Sequence, residues 1–329
     1  MTVNNLIALP ESGQSSRQVN FATETGLADR VHLLGVEEIH AINAAIMAGR
    51  PLLVRGEPGT GKSQLARAAA ALLKRVFIQH VIDSHTEARD LLWSFDAVKR
   101  LAEAQLVGAL NQDLNQAREE LAVERFLHPG PLWWAFDWEN ARQQADRIAV
   151  ASPPQRDGGD WSNGSVFLLD EIDKAESEVP NGLLEALGSR SFIPMGRTEP
   201  VRAVGTLPLV VITTNEERAL PDAFLRRCLV LRLRLPHNEE ELVNFLVARG
   251  RAHYPKARDA VLRRAAKMLH ENRLSALSVR ITPRPGQAEY LDLLRAVLGL
   301  ATTEKEQLNM LEVVAQYTLK KNRDQDVTG

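Results

Sequence analysis

A single cysteine, Cys228, stands in the 329 residues. No intrachain disulfide can therefore staple the fold, and a reducing compartment suits the chain. There is no apolar run long enough to span a bilayer and no signal-peptide pattern, so the expected location is cytoplasmic. An excess of positive charge is missing too. A net charge of −2 and an isoelectric point near 6.5 leave no electrostatic footprint for nucleic acid, and no basic stripe or recognition helix stands out. Internal repeats and low-complexity tracts are absent. What is present, 44% hydrophobic and 25% charged residues, is ordinary for a globular chain long enough to form one to three domains with real cores.

Against that plain background one stretch carries chemistry. Leu52, Leu53 and Val54 form a short apolar run, read as a buried strand. It feeds a loop with glycines at Gly56, Gly59 and Gly61, and Leu65, Ala68, Ala69, Leu72 and Leu73 then recur on one helical face. Strand, glycine loop and helix are the context in which G-x-x-x-x-G-K-S binds phosphate. Glycines let successive backbone N–H groups curl round a phosphate chain, and the helix N-terminus adds partial positive charge. In this reading Gly56, Glu57, Pro58, Gly59, Thr60, Gly61, Lys62, Ser63 and Gln64 hold a nucleoside triphosphate, which the family resemblance given below makes ATP. Lys62 reaches the β- and γ-phosphates, and the Ser63 hydroxyl holds Mg²⁺.

A second apolar run, Val166-Phe-Leu-Leu169, closes on adjacent carboxylates, Asp170 and Glu171. Beside a phosphate loop such a strand delivers an acid to the metal shell, the role expected of Asp170. It also delivers a carboxylate that orients and polarises attacking water, the role expected of Glu171. A third run, Leu207–Asn215, ends on Asn215 at the strand end where open α/β sheets place their ligands. Leu220–Cys228 reads as a short helix ending in Arg226 and Arg227. On residue pattern alone such a pair is ordinarily a solvated end that complements the helix dipole.

Elsewhere, residues 1–30 are polar and aperiodic, an expected arm. All five tryptophans, Trp93, Trp133, Trp134, Trp138 and Trp161, fall between Ser84 and Ser165. Helices are expected there at Thr86–Ala104, Gln112–Phe126 and Asn140–Ile148. The aromatics are read either as a small satellite core or as a docking surface. Another short helix is expected over 177–187, and Ser191–Val204 reads as a hairpin. Beyond Pro236 the alternation of strand and helix stops. Helices at about 239–250, 257–272, 286–299 and 303–321 are expected, with Arg284 pinned between prolines at a helix start.

In this order the motifs resemble those of the AAA+ ATPases, most closely the MoxR-type branch with its helix-2 insert. Gly56–Ser63 looks like Walker A, Val166–Asp173 like Walker B, Thr213–Asn215 like sensor 1, Leu220–Arg227 like the arginine-finger segment, and the stretch around Arg284 like sensor 2. The resemblance implies that Asn215 positions the lytic water and that Arg227, or Arg226, reaches the nucleotide of the next subunit. It also implies that Arg284 contacts phosphate from the lid. The Pro-Arg-Pro setting of Arg284 is unusual for the family, and the wide separation of Lys62 from Asp170 matches the room such an insert takes.

The expected fold is α/β: a P-loop parallel sheet over residues 31–235, a Trp-rich helical insertion at about 84–165, and an all-α lid over 236–329. Family relation further implies a homo-oligomeric ring, a hexamer, that remodels or activates a partner protein bearing a von Willebrand A domain. Two other classes compete. One is an ATP-gated scaffold or switch in a defence or signalling system with little turnover, against which the intact Asp170–Glu171 pair argues. The other is a monomeric P-loop kinase, against which Asn215, the arginine pair and the helical lid argue.

Overall fold

The computed structural model describes residues 6–22, 31–109, 113–176, 178–278 and 283–319. The chain forms two compact units. One holds His40–Leu53 and Ala69–Val230, the other Ala8–Ile39, Val54–Ala68 and the residues from Leu231 onward. Its central feature is the expected α/β sheet, with five strands: β3 (Leu52–Gly56), β4 (Val76–Val81), β7 (Ser165–Asp170), β10 (Leu209–Thr214) and β11 (Leu229–Leu233), in the order β11–β3–β10–β7–β4. β4 and β10 flank β7 in parallel, with Val81 opposite Asp170 and Leu169 opposite Ile212. Every residue of β7 and β10 is buried. Strands covered on both faces read as unbroken apolar runs, which is why both stand out in the sequence.

Helices α1 (Val36–Ala48) and α2 (Lys62–Leu73) bracket β3. Glu38 accepts the Gly35 N–H at 2.6 Å at the start of α1. Residues 16–20, expected as part of an arm, form β1 (Ser16–Asn20), antiparallel to β2 (Val31–Gly35). The expected hairpin is present as β8 (Ser191–Phe192) and β9 (Val201–Arg202), after helix α7 (Glu178–Ser189).

Between β4 and β7 the expected helix over 86–104 is replaced. Residues 83–92 form turns in which Asp83 accepts the His85 N–H and Asp90 accepts that of Glu87. Trp93–Phe95 becomes strand β5, antiparallel to β6 (Leu127–Pro129). Gly130 explains the break. Its N–H donates to the Leu92 carbonyl at 3.0 Å, and a Cβ there would lie 2.6 Å from the Leu92 backbone. Helix α3 (Ala97–Ala109) starts only after Asp96, whose carboxylate accepts the Lys99 N–H at 2.8 Å. Val98 and Leu101, which fall on one apolar stripe of the expected helix over 86–104, are exposed. Further on come α4 (Leu114–Glu120), α5 (Pro131–Phe136) and α6 (Trp138–Arg147). The tryptophans of α5 do not make a satellite core: Trp133 and Trp134 pack with Phe167, Leu169 and Ile212 in the core of the sheet. The Trp133 indole donates to Asn140 at 3.0 Å, satisfying its one polar atom. Trp161 is exposed.

After the one-turn α8 (Asp222–Leu225) and β11 the chain is helical: α9 (Glu239–His253), α10 (Asp259–Ser278), α11 (Gln287–Leu300) and α12 (Glu304–Thr318). Asn238 caps α9, and Thr303 with Glu306 forms a capping box on α12, as their spacing suggests. Leu246, Leu262, Leu269, Tyr290, Leu294 and Leu311 centre their common core. Thr282 lies outside the described residues. Among the described residues no helix is long and apolar enough to cross a membrane.

Candidate functional site

The phosphate loop is held by its own backbone and by other groups of the unit to which it belongs. Gly59 and Gly61 have φ of +74° and +93°, a region closed to ordinary side chains. Gly56 is forced by crowding: a Cβ there would lie 2.6 Å from the Leu233 carbonyl. Thr60 Oγ1 donates to the Glu57 carbonyl at 2.9 Å. The Lys62 ammonium is buried and folds back on the loop, donating to the carbonyls of Gly56 at 2.8 Å and Glu57 at 3.0 Å. Ser63 and Gln64 follow in the first turn of α2. Two buried polar atoms beside this loop have no partner among the described residues, Gln64 Oε1 and His32 Nε2. His32 Cε1 would lie 3.3 Å from a Cβ on Gly61.

Arg284 reaches this loop by a route the sequence does not announce. Its guanidinium pairs with Glu57 Oε1, while Arg273 of α10 pairs with Glu57 Oε2 at 2.8 Å and donates to the Pro285 carbonyl at 2.8 Å. Ala288 N–H donates to the Gly59 carbonyl at 3.2 Å. Burial alone would raise the Glu57 carboxyl, but the hydrogen bonds and charge of Arg273 and Arg284 outweigh it and hold Glu57 below the usual carboxylate range. Arg273 was not singled out from the sequence. A signal existed: it continues the buried stripe of Leu262, Ala265, Ala266 and Leu269 on α10, and an arginine on such a stripe needs an acidic partner.

A separate acid network lies at the carboxyl ends of β7 and β10. Asp170, the last residue of β7, is buried. Thr213 Oγ1 donates to Asp170 Oδ1 and accepts the Glu171 N–H at 2.9 Å, so one hydroxyl ties both acids to β10. Glu171 has φ 62° and ψ 47°, left-handed for a residue with a side chain, a conformation that costs about 1–2 kcal/mol. Its carboxylate is held by Lys174 Nζ at 2.5 Å. Two residues on, Asp173 is buried and accepts the N–H groups of Asn215 at 3.2 Å and Glu217 at 3.0 Å. Asp173 therefore fixes the turn that presents Asn215. The structure thus gathers Asp170, Glu171 and Asn215 in one network, with Thr213, Asp173 and Lys174 as members whose roles the spacing did not suggest. Arg226 and Arg227 lie between α8 and β11, both exposed, and Arg227 Nη1 donates to the Leu184 carbonyl at 3.5 Å.

The family profile of the AAA domain, dynein-related subfamily, matches residues 51–228, more than half of the chain. The chain belongs to this family. The matched segment of this AAA chain opens at Pro51, directly before β3, and closes at Cys228, directly after the arginine pair. No curated protein matches the sequence. Solved structures that resemble it include an ATPase described as putative from Cytophaga hutchinsonii, at 14% identity and a TM-score of 0.38, covering 86% of this chain and 79% of that one. Two variants of Thermotoga maritima RuvB each show 16% identity and cover 84% of this chain. One covers 68% of the RuvB chain with a TM-score of 0.44, the other 67% with 0.43.

Among the described residues no group of three or more His, Cys, Asp or Glu side chains is placed to hold a metal ion. A magnesium ion in this family's setting leans on substrate phosphates and one or two protein oxygens, and Ser63 and Asp170 are of that kind. The glycine cradle, the buried ammonium and the unpartnered Gln64 and His32 atoms fit a phosphate-bearing ligand.

Proposed function

We propose that this AAA chain binds ATP with Mg²⁺ and hydrolyses it, acting as a MoxR-like ring, hexameric by family analogy, that remodels or activates a partner protein. A protein carrying a von Willebrand A domain is the partner class favoured. In this proposal residues 31–235 are the nucleotide-binding domain with its insertion at about 84–165, residues 236–329 are the lid, 1–30 are an arm, and the protein works in the cytoplasm. The observation that carries the reading is the acid network. A buried Asp170 and a strained Glu171 share one threonine hydroxyl, and such strain is retained where the surroundings over-determine it for a task.

Lys62 would turn from the loop carbonyls to the phosphates. Magnesium, held by Ser63 and Asp170, would neutralise phosphate charge. Glu171 would take the proton of the attacking water, Asn215 would orient that water, and Arg227 or Arg226 would stabilise charge in the neighbouring subunit's site.

One observation supports a second reading, the ATP-gated switch with little turnover. Lys174 occupies the Glu171 carboxylate, which must leave this ion pair before it can meet a water. Turnover per subunit measured across a wide protein concentration range separates the two. Specific activity that rises and saturates with concentration is expected for a site completed by a neighbour. ATP binding without turnover at any concentration would move the assignment to the switch.

A further inference from the structure

The turn that carries Arg226 and Arg227 is held by a third arginine far away in the chain. Arg50 donates from Nε to the Arg227 carbonyl at 3.0 Å and from Nη2 to the carbonyls of Arg226 and, at 3.4 Å, Cys228. Three consecutive peptide groups thus converge on one planar guanidinium. Its fork suits such a task, and a lysine, with one compact charge, does not. Beside it the Leu229 N–H donates to the Pro51 carbonyl at 2.9 Å, so the residues on both sides of this turn are anchored to the segment that opens β3.

The charge balance here is unusual. Arg50, Arg190, Arg226 and Arg227 line one cavity of about 460 Å³ with an apolar floor of Leu184, Leu187 and Phe224. No carboxylate lines it, and none of the four makes an ion pair among the described residues. Four guanidinium groups held together without countercharge repel one another, and the repulsion is relieved when an anion arrives. Carbonyl dipoles keep Arg50 in place in the meantime.

We infer that Arg50 is a positioning residue, which fixes the Arg226–Arg227 turn so that its guanidinium groups meet the phosphate anion of an adjoining copy of this chain. This inference rests on the proposed ring and on the finger role of the arginine pair. Arg50 itself touches no substrate; it acts through the main chain of the finger turn. That separates it from the phosphate loop a few residues downstream, which serves the chain's own nucleotide.

The experiment uses the full-length protein and four variants: Arg50→Ala, Arg50→Lys, Arg227→Ala and Arg50→Ala/Arg227→Ala. Turnover, ATP affinity and melting temperature are measured for each. Arg50→Ala is expected to cut turnover tenfold or more with ATP affinity changed less than about threefold, because only an interaction made in the transition state is lost. The double variant is expected to be no slower than Arg227→Ala alone, since both remove the same contact. Mixing Arg50→Ala subunits with Lys62→Ala subunits is expected to restore part of the turnover, because Lys62→Ala subunits keep an intact finger. A merely structural defect would give neither the non-additivity nor the rescue. Should Arg50→Ala fail to fold, Arg50→Lys keeps the charge but replaces the planar fork with a single donor nitrogen, and serves the same cycle. Full activity in Arg50→Ala, or a loss that adds to that of Arg227→Ala, overturns the inference while leaving the finger intact. Full activity in Arg227→Ala passes the finger to Arg226, and full activity in an Arg226→Ala variant as well overturns the finger itself and the inference with it.

Discussion

The phosphate loop and the acid network, each taken by itself, are built by opposite means. The phosphate loop is shaped by backbone: two glycines at positive φ, a third forced by a neighbouring carbonyl, and a lysine resting on loop carbonyls. The acid network is shaped by side chains: one threonine hydroxyl bridges Asp170 and the Glu171 N–H, and a buried aspartate holds the Asn215 turn. The first relaxes its strain by using glycine. The second keeps strain, at Glu171, where a side chain is needed and glycine would not serve. A cradle can be made of generic parts, whereas a group that moves a proton has to be aimed.

The sharpest way to separate the two is Glu171→Gln. It removes a proton acceptor and keeps the shape, so turnover is expected to fall by about 10²–10⁴ with ATP still bound; retention of full turnover would end the assignment of Glu171. Lys62→Ala acts on the phosphate loop. Loss of a charge-assisted partner of the phosphates is expected to weaken ATP binding by about a hundredfold, read by calorimetry or a fluorescent nucleotide. Thr213→Val, nearly isosteric, leaves the Glu171 N–H and an Asp170 oxygen without their shared partner. A cost of about 1–3 kcal/mol in stability is expected, with slower turnover and ATP affinity nearly unchanged. An equal effect on affinity would show that the two are not separable in this way.

A further effect, on stability alone, concerns acid. Burial first, then the charges of Arg249 and His253, push His32 down to about 3 from its ordinary 6.5. Its folded value lies below its unfolded value, so the unfolded chain binds the extra proton between those limits and stability falls as pH drops through that window. From pH 7.5 to pH 5 the loss is about 2 kcal/mol. Chemical denaturation at both pH values checks it, and a His32→Gln variant is expected to lose less over the same interval.

This contrast explains what the sequence reveals and what it hides. Backbone devices leave local marks: glycine spacing, an apolar strand before a loop, a helical stripe after it. The loop, the strands β7 and β10, and the C-terminal helices were therefore legible. Side-chain networks between distant segments leave none. Nothing near Thr213 says that its hydroxyl binds Asp170, and nothing near Arg50 says that it clasps a turn at Arg227. The expected helix over 86–104 fails for a related reason. Its periodicity is real, but Gly130 meets the Leu92 backbone from far along the chain and draws Trp93–Phe95 into pairing. The tryptophans read as a satellite core or a docking surface because sequence shows that they are neighbours in the chain, not that Trp133 and Trp134 share a core with Phe167.

Glu57 gives the phosphate loop an occupant of its own. Its carboxylate is a tethered anion already bound by Arg273 and Arg284, so a phosphate making the Arg284 contact that the family resemblance implies would have to displace a competitor that never diffuses away. Binding then becomes an exchange of one anion for another. Glu57 covers both arginines when the loop is empty, and under that contact the observed affinity would be the intrinsic one scaled down by the fraction of time Glu57 lets go. Such a loop favours ligands rich in charge over single phosphates, because only several simultaneous contacts outcompete a partner held at high local concentration.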